Sequence, residues 1–221
     1  MTKGSRRAVG YHEDLCELVF VSGTMASPTA LRLLALSALL LLCAPTTSAS
    51  ATPRQLVDSI KRATQQGQAL QAPAQSITII NGPLIVIGQG PFPKIIVGFT
   101  EMITELTTSI AEAQGAERLS GADTTAVADA VRDMVRVHQA LLNILIGKAG
   151  LFNTVPFIGQ PVAEVLRQYE GVIDAYLFQL TDLASSEAAS KTISGQQMSL
   201  DGTTTIAINA YSGLGLKLWQ Q

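Results

Sequence analysis

The chain has 221 residues, of which 47% are hydrophobic and only 14% charged, and its formal net charge is −2. The charges are scattered singly, with neither a basic patch nor a polybasic run, which argues against nucleic acid as a partner. With two cysteines and two histidines in all, there is little material for a metal site or a disulfide framework.

Residues 1–24 mix Arg6 and Arg7 with Glu13, Asp14 and Glu17, and read as a disordered leader or a mis-assigned start ahead of Met25. Residues 25–51 follow the pattern of a secretory signal peptide: Arg32, an apolar run from Leu33 to Ala44, then small polar residues. That run is too short to cross a bilayer, which takes about 20 helical residues. Ala49 and Ala51 suit a cut before Thr52, with a cut before Ser50 as the alternative. Both Cys16 and Cys43 precede the cut, so the exported chain is expected to stand without disulfides. From Thr52 onward eleven Lys and Arg face fourteen Asp and Glu, a net charge of −3, and no N-x-S/T sequon occurs. The remaining 170 residues suffice for one domain with a sizeable core.

Thr52 and Pro53 read as the N-cap and first residue of a helix whose face carries Leu56, Ile60, Ala63, Gly67 and Leu70. Pro73 is a candidate kink, and the helix is expected to continue over Gln75–Ile80. Asn81–Pro93 reads as an apolar loop with a short strand-like piece. A second helix is expected from Lys94, with Ile96, Phe99, Ile103, Leu106, Ile110 and Ala113 on one face and an end near Gly115. Ser120, with Asp123 three residues on, caps a third helix along Val127, Val131, Met134, His138, Leu141 and Leu145, ended by Gly147. A fourth begins near Gln160 and Pro161 and runs through Tyr169 and Tyr176 to Leu180. A fifth, interrupted by Gly195 and Gly202, lies between Ser186 and Tyr211, and residues 212–221 read as a frayed tail. The predicted fold is therefore all-α: an antiparallel bundle of about five helices over residues 52–211.

Catalytic patterns are missing. His138 is the one histidine after the expected cut, no H-E-x-x-H or G-x-S-x-G occurs, and the GQG at 88–90 runs into Pro91 and so cannot cradle phosphate. No enzyme, metal or cofactor is expected. The unusual stretch is KAGLFNTVPFIGQPV, residues 148–162, which has the composition of a loop and yet carries Leu151, Phe152, Val155, Phe157 and Ile158. Loops usually run over the surface and are polar.

Residues 137–180 carry His138, the turn Gly147–Lys148, the pair Leu151–Phe152, the step Pro156–Phe157, then Leu166 and Asp174. In these the chain resembles the fungal hydrophobic surface-binding protein A family, also called cell wall galactomannoproteins. A weaker similarity covers Leu200, Asp201, Ala207, Ala210 and Tyr211, and the departure is greatest over Ile77–Pro93. The resemblance implies a secreted, helical, non-enzymatic protein of the cell wall or of hydrophobic surfaces, some members holding fatty acids between the helices. It supplies no catalytic residues.

The physics of the connection points the same way. Burying one large apolar side chain is worth ~1.5–3 kcal/mol, and each methylene of an acyl chain ~0.8 kcal/mol. The connection therefore either plugs the bundle's core or closes over an oily guest. Phe99, Met134, Leu141, Phe152, Phe157, Tyr169 and Tyr176 are the candidate lining residues, with ordinary core packing as the competing role for each. A fatty acid or a hydrophobic surface is the expected partner, and cell-wall carbohydrate a further candidate. The rival readings are a structural cell-wall mannoprotein with a purely packed core and, against the histidine count, a hydrolase.

Overall fold

A computed structural model describes residues 50–152 and 158–212. The expected leader, nearly all of the expected signal peptide, the segment 153–157 with Phe157, and the tail after Ser212 lie outside the described residues. The chain divides into two units, Met1–Thr47 and Ser48–Gln221, and every described residue belongs to the second. Among the described residues there is no strand, and five long α-helices carry the fold. None of them is long and apolar enough to cross a membrane.

Helix α1, Pro53–Gln75, opens with a complete capping box. Gln55 N donates to Thr52 Oγ1, and Thr52 N donates to Gln55 Oε1. The helix passes through Pro73 and stops at Gln75, short of Ile80, because Ser76 caps it and Asn81 folds the chain back. A short 3-10 helix, Gly82–Ile87, then takes the place of the expected strand-like piece. Helix α2, Pro91–Ala113, begins three residues before Lys94. Prolines at its first and third positions cost nothing there, since those N–H groups have no partner within a helix.

The buried stripe of α2 is Phe92, Ile95, Phe99, Met102, Leu106 and Ala113. Ile96, Ile103 and Ile110 flank it half-buried, so the predicted face is one residue out of register along half of its length. Helix α3, Gly121–Ala149, is capped by Ser120 and runs two residues past Gly147. Helix α4, Gly159–Leu183, and helix α5, Glu187–Ser212, complete the set, and α5 is unbroken through Gly195 and Gly202.

The helices alternate in direction but do not pack in chain order. α1 packs on α2, α2 on α4, α4 on α5, α5 on α3, and α3 back on α1. The arrangement is a closed ring of five, in which helices across the ring scarcely meet. The space between them is filled by the largest buried side chains of the molecule, among them Tyr169, Tyr176, Tyr211, Phe92, Phe99 and Phe152.

This order explains the two demanding connections. α2 and α3 are consecutive in sequence but are not neighbours, so residues 114–120 must cross one end of the ring. Leu119 is buried there, and its N–H donates to Leu183 O at 2.9 Å. α3 and α4 hardly touch either, and the connection after Ala149 joins them at the opposite end, with Phe152 and Ile158 both fully buried. A link that crosses the mouth of a bundle is in contact with its core, and apolar residues suit it.

Candidate functional site

The interior of the ring carries three polar contacts at successive levels, each set by an apolar helix face that brings one hydroxyl or imidazole inward. Near the first end Ser59 and Tyr176 meet at 2.7 Å. Ser59 Oγ gives its proton to Leu56 O at 2.8 Å, so the tyrosine hydroxyl donates to Ser59. At mid-height His138 Nε2 lies 3.0 Å from Ala63 O, and Nδ1 lies 2.6 Å from Tyr169 Oη. A carbonyl only accepts, which assigns the proton to Nε2 and makes Nδ1 the acceptor of the tyrosine hydroxyl. At the far end Tyr211 Oη donates to Leu145 O at 3.0 Å.

Aromatic rings fill the space between these bonds. Phe99 stands edge-on to Tyr169 with ring centres 5.2 Å apart, and Phe92 meets Phe152 in the same way at 5.2 Å. Phe92 also touches Tyr211. Burial sets the electrostatics. It pushes Tyr176 up to about 12 and raises Tyr169 and Tyr211 as well, and it lowers His138 to about 4 despite the Ala63 carbonyl. His138 is therefore neutral at pH 7 and is no cationic clamp.

The structure brings Phe99, Met134, Leu141, Phe152, Tyr169 and Tyr176 into one core, each at most 1% exposed, so in this state the bundle is closed around them. Phe157 lies outside the described residues. Ser59, Ala63 and Phe92 join this interior without having been candidates on sequence grounds. Ser59 falls three residues after Leu56, which is the spacing that places it on the buried face. Phe92 falls in the stretch whose composition predicts a loop.

Two surface features lie at the end of the ring where α1 finishes and α2 begins. A depression of about 420 Å³ is lined by Ala72, Pro73, Ser76, Asn81, Gly90, Pro91 and Lys94. Beside it, Lys148 Nζ donates to Ile77 O at 2.9 Å. Glu164, paired with Arg167 in the first turns of α4, lies towards this end as well, and other acids line the α4–α5 seam. Glu170 accepts from Thr205 at 3.0 Å and Asp174 from Gln197 at 3.4 Å along the α4–α5 seam, and burial, then neighbouring carboxylates, raise the pKa of both acids.

No protein family's sequence model matches the chain, and no curated protein matches it either. Solved structures do. AfMP4p in complex with palmitic acid aligns with a TM-score of 0.64 at 17% identity, over 72% of this chain and 99% of that one. Ligand-binding domain 2 of the Penicillium marneffei MP1 protein, complexed with multiple arachidonic acids, aligns at 0.59 and 14% identity, over 72% and 94% of the two chains. Ligand-binding domain 1 of the same protein, also complexed with arachidonic acids, aligns at 0.56 and 17% identity, over 72% and 95%. The chain shares their fold. Identities this low establish the architecture alone.

Proposed function

We propose that this chain is a secreted, non-enzymatic carrier of fatty acids, of the hydrophobic surface-binding and cell-wall galactomannoprotein type. The observation that supports it most is the correspondence of its ring of five helices with nearly the whole of a palmitic-acid-bound domain. The acyl chain would lie along the ring's axis, between Phe99, Met134, Leu141, Phe152, Tyr169 and Tyr176, and the closed bundle must part to admit it. Sixteen buried carbons supply on the order of 10 kcal/mol gross, from which the cost of parting the helices and ordering the tail is subtracted.

The hydrogen-bond inventory favours one orientation. Tyr169, Tyr176 and Tyr211 each donate their single proton to an internal acceptor, and His138 is neutral with its N–H on Ala63. A carboxylate inside would have to break one of these bonds, and it would meet no positive charge. At the α1–α2 end it finds the depression beside Lys94. The fatty acid would therefore sit tail-inward with its head at that lysine.

Native mass spectrometry of the Ser48–Gln221 unit with palmitic acid tests the reading. A saturable adduct of micromolar affinity or better is expected, with Lys94→Ala weakening palmitic acid more than the alcohol of equal length. If no adduct forms and no fluorescent fatty acid is displaced, the packed-core structural role stands instead.

A further inference from the structure

Among the described residues, the apolar surplus is concentrated in the segment joining α1 to α2. There Ile79, Ile80, Leu84, Val86 and Ile87 point into water, with exposures of 62, 89, 37, 69 and 65%. Leu151, 37% exposed, lies on the adjoining connection. Single exposed aliphatics are ordinary, but five within nine consecutive residues form a patch.

Topology does not require this patch. α1 and α2 are neighbours in the ring, and antiparallel helices that touch are commonly joined by about 2–8 residues. Here residues 76–90 are used. The segment is also built to hold its shape. Asn81 Oδ1 accepts from Thr78 N at 2.7 Å, and its Nδ2 donates to Ser76 O at 2.8 Å. Gly88, at φ 70°, closes the 3-10 helix. Ile77 is fully buried, and Gly82 lies so close to the Phe152 ring that a Cβ would overlap it. The aliphatic side chains are held outward by a fastened turn.

Charge at this end selects the partner. Lys94 is the one charged residue between Arg62 and Glu101, and Lys148 the one between Arg136 and Glu164. No charge occurs from Gly202 to Ser212, where α5 reaches the same end. Among the described residues this end thus offers aliphatic side chains, Lys94 and Lys148, together with Arg167, which donates to Ser212 Oγ and pairs with Glu164, so positive charge is in excess there. Its exposed apolar side chains, among the described residues, are all aliphatic, with none of the aromatics that anchor protein–protein contacts. Aliphatic groups beside cationic ones fit the boundary of a lipid layer whose head groups are anionic.

We infer that the 77–87 tip is a docking surface for anionic lipid bilayers, seating Ile79, Ile80, Leu84, Val86 and Ile87 among the acyl chains with Lys94 and Lys148 at head-group level. This deepens the carrier reading and rests on it for its purpose, since the docked end is the one where the fatty acid's head would lie.

Flotation of the Ser48–Gln221 unit, whose described core residues all lie within it, with phosphatidylcholine vesicles containing 30% phosphatidylglycerol tests the inference. The unit should float with these vesicles and more weakly with pure phosphatidylcholine. The triple variant Ile80→Ser, Val86→Ser, Ile87→Ser changes only exposed side chains, so its circular dichroism should match the parent. It should lose at least tenfold in vesicle binding while still taking up palmitic acid from vesicle-free solution. Lys94→Ala should lose roughly fivefold on anionic vesicles and little on neutral ones. The inference is overturned if the parent does not float, if the triple variant floats equally well, or if the parent sediments as a dimer that the triple variant dissolves and neither binds vesicles. Loss of palmitic acid uptake by the parent alone would overturn the carrier reading and leave the docking result to stand by itself.

Discussion

The imidazole of His138 is fastened at both nitrogens, to Ala63 on α1 and Tyr169 on α4, so it has no room to swing aside. Gly67 packs directly against it, and a Cβ at that position would fall 2.7 Å from Nε2. Gly→Ala in a helix interior ordinarily gains up to ~1 kcal/mol. Here the overlap decides the sign, and Gly67→Ala should destabilise by about 1–3 kcal/mol in urea unfolding. The same histidine makes stability depend on pH. Its folded pKa is about 4, against an ordinary 6.5 when unfolded. Above pH 6.5 both states are neutral. As pH falls towards 4 only the unfolded chain takes up the proton, so stability is lost across that window, by about 3 kcal/mol. Glu170 and Asp174, whose folded pKa values are raised, act in the opposite sense. The comparison with His138→Gln isolates the histidine: between pH 7 and pH 4.5 the wild type should lose about 2–3 kcal/mol more than the variant.

At the scale of elements, α1, α3 and α4 were legible from their periods, and α1 and α3 also from their caps Thr52 and Ser120, although α1 stops five residues short of the expected Ile80 and α3 runs two past Gly147. α2 was harder to place. Isoleucines at 95, 96, 103 and 110 permit two stripes that share Phe99 and Leu106, and only packing against α1 and α4 chooses between them. The crossing connections were half legible. Their apolar content was evident, but its reason lies in the order of helices around the ring, which no local pattern encodes. The 77–87 tip was the least legible. Composition says that aliphatic residues are buried, whereas Ile80 is 89% exposed. Asn81 holds that turn, and Asn81→Ala should speed hydrogen exchange of the amides of residues 78–88 at least tenfold while global stability falls by no more than about 1 kcal/mol.

At the scale of the whole bundle, the described residues sort charge and grease along the ring's axis: most carboxylates lie at the middle and at one end, while the other carries the exposed aliphatic residues with Lys94, Lys148 and the Arg167–Glu164 pair. The six described candidate residues are all buried in one core; five of them sit on helical stripes, and Phe152 enters it from the connection. Whether that core is solid or opened by a guest depends on the free energy of parting helices, to which periodicity gives no access. The ring is closed by hydrogen bonds and packing among helices, and its most carefully tied point is where it starts. Ala51 N–H reaches Glu112 O at 3.0 Å, and Thr52 donates its own amide to Gln55. Chain length and stability are coupled there. A polypeptide trimmed to begin at Ser50 keeps the strap to Glu112. One trimmed to begin at Thr52 loses it and sets a free ammonium against the positive pole of α1, a penalty of about 1 kcal/mol. The shorter product should melt ~2–4 °C below the longer in a calorimeter, a margin set by two residues.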